Sequence, residues 1–377
     1  MGEYITQVGM DVHARSAACS AIDTESGEVW ERSFSGPGYA AELIEWAKGL
    51  PQPAHLAYES GCTGFDLCRR IRAEGLACDV AATSSLARSP EQRARKNDRA
   101  DAAALRGDMC NPSSGVSWCW VPTAEQEGVR DLVRELLAER REVGRRKQRV
   151  LSLLLRHGWA WDEKGPGGRR RATWTKAHRK WVAEADLGDP LSNAARDRML
   201  ADLASLEGQA AATLRAVREV GRGEGWAPYV DAISLLSGVS RETALLAAAE
   251  FGDFSRFSRG RSVARWIGCV PSERSSGGRQ RRGGVTKMGP ALLRRQLVEG
   301  ASTLPRRSGG TRVPAGARVS PETAAMAREA NRRLKARYDA LRGAGKPANA
   351  AKVACVRELA CWIWAIGLQV QSELAAS

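Results

Sequence analysis

The sequence lacks several patterns that would identify a common class of protein. Its nine cysteines are odd in number and form no Cys-x-x-Cys pair, which argues against a zinc site and suits buried thiols in a reducing cytoplasm. No Ser/His/Asp arrangement can be recognised. The four histidines are scattered, and each is expected to be structural: His13, His55, His157 and His178.

Sequence signals for export and for membrane insertion are also missing. The N-terminus has no basic segment followed by an apolar core, so we expect no secretory signal. No apolar stretch is expected to reach transmembrane length. We therefore expect a soluble, cytoplasmic protein with no membrane partner.

Acidic charge is scarce outside the first third of the chain. The net charge is +15, but the first 120 residues contain 12 Lys and Arg against 16 Asp and Glu, and the remainder contains 46 against 27. This asymmetry predicts a metal-binding module joined to a module that binds a polyanion. Arginine clusters recur near tryptophan, which favours nucleic acid over a merely soluble basic surface.

The first 82 residues predict an α/β domain. Three strands are expected at 4–12, 17–22 and 29–34, forming an antiparallel meander. Helices at 40–50 and 65–74 then alternate with strands at 55–58 and 78–82. Three strands followed by alternating helix and strand is the order of a ribonuclease-H-like fold.

The rest of the chain reads as mostly helical. A long amphipathic helix or coiled-coil arm is expected at 124–156, and its apolar stripe has no obvious cover within a small domain, so a partner chain could cover it. Residues 235–250 resemble a helix-hairpin-helix turn that could face a DNA phosphate, although an ordinary helix-helix turn is equally compatible. We predict three domains: 1–120 (catalytic), 121–225 (arm and basic linker) and 226–377 (C-terminal).

Four carboxylates stand where a metal site could form. Asp11 and Glu59 end apolar runs, and Asp98 and Asp101 are three residues apart at the start of a helical stretch. On a helix these two aspartates would share a face and repel each other unless a cation neutralised them. Carboxylates that converge from separate segments can hold Mg²⁺, and Mn²⁺ is possible, for phosphodiester chemistry.

An arginine-dense, glycine-rich segment at 274–284 is predicted to be a loop that contacts nucleic acid. From the residues alone, a phosphate clamp in which the serines donate hydrogen bonds is the better interpretation, and a nucleophilic serine is the alternative. The predicted nucleic-acid contacts here and just downstream are Arg274, Ser275, Arg279, Arg281, Arg282, Lys287, Arg294 and Arg295.

Several short stretches, taken together, resemble one known family. They are VGMDVH (8–13), YESG (58–61), KNDRADA (96–102), FSRF (254–257), PSERSSGG (271–278), TKMG (286–289) and LLRR (292–295). In this order they resemble the DEDD transposases of the insertion-sequence one-hundred-ten family, the bridge-RNA-guided recombinases of bacterial mobile elements. Met10 and Ala14 depart from that pattern, which more often has Ile and Lys there.

The resemblance implies a RuvC-like N-terminal domain in which Asp11, Glu59, Asp98 and Asp101 bind Mg²⁺. It also implies a helical arm used for assembly into a homodimer or homotetramer. The C-terminal transposase domain would supply a nucleophilic serine, which aligns best with Ser276, directly before Gly277, with Ser275 as the fallback. DNA and a guide RNA are the implied partners, and a phosphoserine intermediate is the implied chemistry.

Two other functions compete with this expectation. The first is a junction-resolving metal nuclease in which water attacks and the serines only grip phosphate. The second is a non-catalytic nucleic-acid-binding protein that kept the fold. Protein-linked DNA that depends on the serine separates the first from a recombinase, and metal-dependent cleavage that depends on Asp11 excludes the second.

Overall fold

A computed structural model describes residues 4–86, 97–165, 168–169, 171–276, 279–306 and 311–376, without the side chains of 273–282. The chain divides into two compact units, Met1–Glu125 and Gln126–Ser377. The first is a mixed α/β unit and the second is mostly helical. The predicted combination of an α/β part with an α part is therefore confirmed.

The first unit has these elements. The strands are β1 (Thr6–His13), β2 (Ser16–Asp23), β3 (Val29–Ser35), β4 (Ala54–Glu59), β5 (Ala77–Ala81) and β6 (Trp118–Cys119). The helices are α1 (Tyr39–Lys48), α2 (Asp66–Ala73) and α3 (Asp98–Cys110), with a short 3-10 helix at Thr83–Ser85. The strands and helices predicted within residues 4–82 are all present.

The strands form one sheet in the order β3-β2-β1-β4-β5-β6. Strands β1, β2 and β3 pair antiparallel, as the predicted meander requires, whereas β4 pairs parallel to both β1 and β5. Helices α1 and α2 are the connections that carry the chain between the parallel strands. Strands β1 and β4 therefore run in the same direction and end at the same edge.

Side-chain alternation along β1 separates two layers. Val8 and Met10 join a core with apolar residues of α1 and α2, including Leu43 and Ile71. The intervening positions of β1 face the opposite side, where Leu105 of α3 packs with alanines of β4 and β5. The sheet is therefore covered by α1 and α2 on one face and by α3 on the other.

The second unit has these elements. The helices are α4 (Ala124–Arg156), α5 (Lys176–Glu184), α6 (Pro190–Val220), α7 (Ala227–Ile233), α8 (Arg241–Phe251), α9 (Gly260–Trp266), α10 (Ala291–Ala301), α11 (Pro321–Gly343) and α12 (Ala348–Ala376). Short 3-10 helices lie at Phe254–Arg256 and Leu304–Arg306, and a hairpin is formed by β7 (Pro271–Ser276) and β8 (Arg279–Val285).

Helix α4 has the predicted bounds, but most of its stripe is buried within its own chain. Its first half packs into the main core of the unit, and its last turns join a smaller cluster with residues of α5 and α6. Between them α4 pairs with α6 through polar contacts, such as Lys147 Nζ to Glu207 Oε1 at 2.7 Å and Thr213 Oγ1 donating to Glu139 Oε1 at 3.0 Å. A partner chain is therefore not needed to cover the stripe. The exception is Leu155, which is 66 % exposed.

The turn between α7 and α8 is a packed element. Gly238 has a φ of +87°, and a Cβ there would overlap the backbone of Gly300 in α10. The amide of Ser237 donates to Asn331 Oδ1 at 2.6 Å, and the amide of Val239 donates to the carbonyl of Leu236 at 3.1 Å. These two amides are occupied within the chain, which favours the ordinary helix-helix turn over a phosphate-facing hairpin.

Helix α12 corrects one expectation from the sequence. It is long and apolar enough to cross a membrane by length and composition, although no stretch of that kind was expected. Its buried residues, among them Leu359 and Ile363, belong to the main core of the second unit. The apolar character of α12 thus contributes to a packed core, and one such helix is weak evidence for a membrane protein.

Candidate active site

The end of β1 brings ligand-type side chains to the face of the sheet that α3 covers. Because side chains alternate along a strand, Gly9, Asp11 and His13 lie on one face. That face is opposite to the one that Val8 and Met10 contribute to the core. The sequence of β1 therefore places a carboxylate and an imidazole on one face at the edge of the sheet.

Gly9 allows α3 to approach β1 closely. A Cβ at this position would overlap the carbonyl oxygen of Ala102 and the amide nitrogen of Arg106, both in α3. Arg106 also donates from Nη1 to Ser20 Oγ on β2 at 2.7 Å. Direct backbone contact between strand and helix therefore sets the position of the helix that carries Asp98 and Asp101.

The first turn of α3 is fixed by a capping residue. The side chain of Asn97 accepts a hydrogen bond from the amide of Arg99 at 3.1 Å, as an N-cap residue does. Asp98 and Asp101 follow in the first turn, where the partial positive charge of the helix N-terminus favours carboxylates. The two aspartates are on a helix, as their spacing predicted.

Three ligand-type side chains converge at this point. The Nε2 atom of His13 lies 3.4 Å from Oδ2 of Asp11 and 3.4 Å from Oδ2 of Asp98. One ligand atom from each of the three residues lies within 4.8 Å of the others. Their side chains remain accessible, with exposed fractions of 26 % for Asp11 and 57 % for Asp98. A cation could reach this cluster from solvent.

Glu59 is placed beside Asp11 by the strand register. The parallel pairing of β1 with β4 reaches Met10 opposite Tyr58, and Asp11 and Glu59 are the next residue on each strand. The end of β4 is held by Ser60, whose amide donates to the carbonyl of Ala81 at 2.8 Å. The two carboxylates thus emerge from neighbouring strands at one edge of the sheet.

The structure brings the four predicted carboxylates together to different degrees. Asp11 and Asp98 share the cluster with His13, whereas Glu59 and Asp101 lie outside this group of mutually close atoms among the described residues. The sequence interpretation missed His13, because scattered histidines are usually structural. Its position two residues after Asp11 on the same strand was the available signal.

The predicted serine loop is a β-hairpin. Strands β7 and β8 pair antiparallel with Ser276 opposite Arg279 and Ser275 opposite Gln280. The side chains of both serines lie outside the described residues, together with those of Arg274, Arg279, Arg281 and Arg282. The prediction of a loop was wrong for the backbone. The chemical role of these side chains stays a prediction.

The base of the hairpin is locked by backbone contacts. A Cβ on Gly268 would overlap the backbone of Met288, and a Cβ on Gly289 would overlap the backbone of Trp266. The Nη1 atom of Arg294 donates to the carbonyl oxygens of Ile267 at 3.1 Å and of Met288 at 2.6 Å. Arg294, predicted to contact nucleic acid, therefore has a structural role at the hairpin base.

The two other basic residues predicted downstream of the hairpin differ in their surroundings. Arg295 forms an ion pair with Glu299 one turn further along α10, with Nε and Oε1 3.2 Å apart. Lys287 is exposed, and its φ of +58° is unusual for a residue with a side chain. Both remain predicted nucleic-acid contacts.

A second basic feature lies at the N-terminus of α8. Arginines 218, 222 and 241, with Ser240 and Glu242, line an open cavity of about 350 Å³. Arg241 pairs with the buried carboxylate of Asp231 at 2.6 Å. Burial raises the pKa of Glu242, but hydrogen bonds from its own backbone amide, Ser240 and Arg218 outweigh burial, so its pKa lies below the ordinary value. Arg218 is paired with Glu242 and Arg241 with Asp231, so the three guanidinium groups and two carboxylates leave one net positive charge, that of Arg222, at the cavity.

Comparison with known proteins identifies the family. The model of the transposase IS116/IS110/IS902 family matches residues 230–313, which include the α8 N-terminus and the hairpin. The chain is also 31 % identical over 369 residues to the transposase y4qE of Sinorhizobium fredii, covering 97 % of this chain and 89 % of that protein. The chain belongs to the IS110 family of transposases, and it is a DNA transposase enzyme.

Two less similar relatives are also named transposases. The transposase for insertion sequence element IS1533 of Leptospira borgpetersenii is 26 % identical, over 68 % of this chain and 72 % of that protein. A family 20 transposase of Pseudomonas aeruginosa is 27 % identical, over 80 % of this chain and 85 % of that protein. These matches extend beyond the region of the family model to most of the chain.

Proposed function

We propose that this transposase cleaves and exchanges DNA strands with a RuvC-like, ribonuclease-H-like N-terminal domain that binds Mg²⁺ or Mn²⁺ through Asp11, Glu59, Asp98 and Asp101. The observation that carries the proposal is the convergence of Asp11 and Asp98 at the end of β1, both within 3.4 Å of one imidazole nitrogen. The sheet order and strand directions of the first unit support the fold assignment.

The chemistry of the ligand set fits a hard divalent cation. Carboxylate oxygens are the ligands that Mg²⁺ and Mn²⁺ prefer, and an exposed cluster leaves coordination positions for water and a phosphate oxygen. The bound cation would neutralise charge that accumulates on the attacked phosphate. Asp11 and Asp98 would hold it directly, and Glu59 and Asp101 would complete the set.

We propose Ser276 as the nucleophile, with Ser275 as the alternative. The serine oxygen would form a bond to phosphorus, the bond from phosphorus to one deoxyribose oxygen would break, and that oxygen would take up a proton as the serine loses one. A hydroxyl group of another strand would then attack the phosphoserine and release the serine. The position of Ser276 as the last residue of β7, in the arginine-dense hairpin, supports this role.

Guide RNA pairing would supply the sequence recognition. The chain carries 46 Lys and Arg in its last 257 residues, and a protein that reads guide-paired DNA needs mainly backbone contacts. The arginine-lined cavity at the start of α8 is one candidate for such a contact. The arm formed by α4 to α6 is proposed to assemble the protein into a homodimer or homotetramer that works in the cytoplasm.

Replacing Ser276 with alanine is expected to abolish a covalent protein–DNA species. The measurement is denaturing electrophoresis of labelled substrate after incubation with the RNA-loaded protein. Ser275→Ala is the matched variant and should retain the covalent species. Strand cleavage that continues in Ser276→Ala without any covalent species would contradict the serine mechanism and support the nuclease that uses water. Loss of the covalent species in Ser275→Ala alone would identify Ser275 as the nucleophile.

Replacing Arg222 with alanine is expected to weaken binding of a generic duplex and to reduce the slope of log affinity against log salt by about 1, as loss of one phosphate contact does. Arg215→Ala is the control, because Arg215 is an exposed arginine of α6 outside the cavity. Fluorescence anisotropy at several salt concentrations checks both. Equal slopes of log affinity against log salt in the Arg222 variant and the native protein would show that the cavity is not part of the DNA-binding surface.

A further inference from the structure

The distances from His13 to two neighbouring carboxylates fit those between the ligands of one metal ion. Its Nε2 atom is 3.4 Å from one oxygen of each of two carboxylates, Asp11 and Asp98. N–H···O hydrogen bonds are usually about 2.7–3.2 Å long. Two ligand atoms bonded to one ion at about 2.1 Å and near-tetrahedral or octahedral angles lie about 3.0–3.5 Å apart. The observed spacing corresponds to the second case.

The backbone holds the imidazole at this position. His13 is the last residue of β1 and pairs with Ser16 across the turn to β2. The imidazole is on the same strand face as Asp11. Helix α3 covers that face and places Asp98 beside the imidazole. Two separate elements, the end of β1 and the start of α3, thus converge on one point.

We propose that His13 is a direct metal ligand, which makes this centre a mixed nitrogen and oxygen site that binds Mn²⁺ more tightly than Mg²⁺. The inference rests on the proposed function, because it concerns the same cation. Oxygen ligands accept both ions, whereas an imidazole nitrogen suits transition metals and is a poor ligand for Mg²⁺. An imidazole nitrogen in place of one water oxygen therefore shifts the preference of the site toward Mn²⁺.

Electron paramagnetic resonance of the full-length protein with Mn²⁺ alone tests the proposal. Bound Mn²⁺ should show modulation from a directly coordinated ¹⁴N nucleus. The variant His13→Asp keeps a ligand but changes the donor to oxygen, so the ¹⁴N signal should vanish while Mn²⁺ still binds. In calorimetric titrations the same variant should lower the ratio of Mn²⁺ to Mg²⁺ affinity by roughly tenfold.

Arg15→Ala is the matched control, since Arg15 is an exposed residue of the same β1–β2 turn. Removing its charge changes the field at the site for both ions alike, so the affinity ratio should stay constant and the ¹⁴N signal should persist. If Mn²⁺ binds without ¹⁴N coupling and this binding is lost in Asp11→Asn, His13 is not a ligand. The proposed metal centre would then remain intact. Absence of Mn²⁺ and Mg²⁺ binding in the native protein would overturn both.

Discussion

Asp11→Ala is expected to lower the rate of DNA strand cleavage by about 10³-fold or more. Asp11 is one of two carboxylates in the cluster at the end of β1, and its removal leaves too few close oxygens to hold a divalent cation. Stabilisation of charge by such a cation contributes several kcal/mol to a phosphoryl-transfer barrier, and about 1.4 kcal/mol corresponds to a factor of ten. Single-turnover cleavage at saturating Mg²⁺ measures the loss.

Glu31→Ala is the control for this experiment. Glu31 is an exposed carboxylate of β3 in the same sheet, so its removal changes the net charge by the same amount away from the cluster. The control should cleave at the native rate, and circular dichroism should show that both variants are folded. Cleavage by Asp11→Ala at a rate near that of the control would refute the assignment of the active site.

Gly9→Ala is expected to destabilise the first unit and to abolish cleavage, although it adds one methyl group. The added Cβ would overlap backbone atoms of Ala102 and Arg106, which cannot move aside as a flexible side chain can. The strain should lower the free energy of unfolding by about 1–3 kcal/mol. It should also move the start of α3, and Asp98 with it, away from Asp11.

Gly107→Ala is the matched control on α3 itself. A Cβ there has open space around it, and alanine is the better helix former by about 0.5–1 kcal/mol. This variant should be as stable as the native protein or more so, with unchanged cleavage. Urea denaturation monitored by circular dichroism measures the free energy of unfolding of Gly9→Ala and of Gly107→Ala. Native-like stability and cleavage in Gly9→Ala would show that the close helix-to-strand contact does not position the site.

Much of the first unit could be predicted because its signals are local. Three signals act within a few residues: the side-chain alternation in β1, the turn after β2, and Gly75, which follows α2 with a φ of +82°. Asp11 and Glu59 could be recognised because they end apolar runs, and parallel strands bring such ends together. The spacing of Asp98 and Asp101 indicated a shared helix face in the same way.

The remaining features depend on tertiary contacts that leave no local signal. Gly9 looks like any strand glycine until α3 lies against it, and His13 acquires its second carboxylate neighbour, Asp98, only when α3 is in place. The glycine-rich serine segment was predicted as a loop because glycine and arginine lack strand propensity, yet pairing between β7 and β8 overrides that preference. The stripe of α4 is covered by helices far along the chain, which its own periodicity cannot reveal.

Crystals of the full-length protein soaked in Mn²⁺, with data collected at the manganese absorption edge, give the most direct test of the proposed metal centre. We expect an anomalous peak between the carboxylates of Asp11 and Asp98, within about 2.0–2.3 Å of an oxygen from each. A soak of Asp11→Asn crystals should lack that peak. Native crystals with no peak there, or with manganese only at other carboxylates, would show that Asp11 and Asp98 do not form a metal centre.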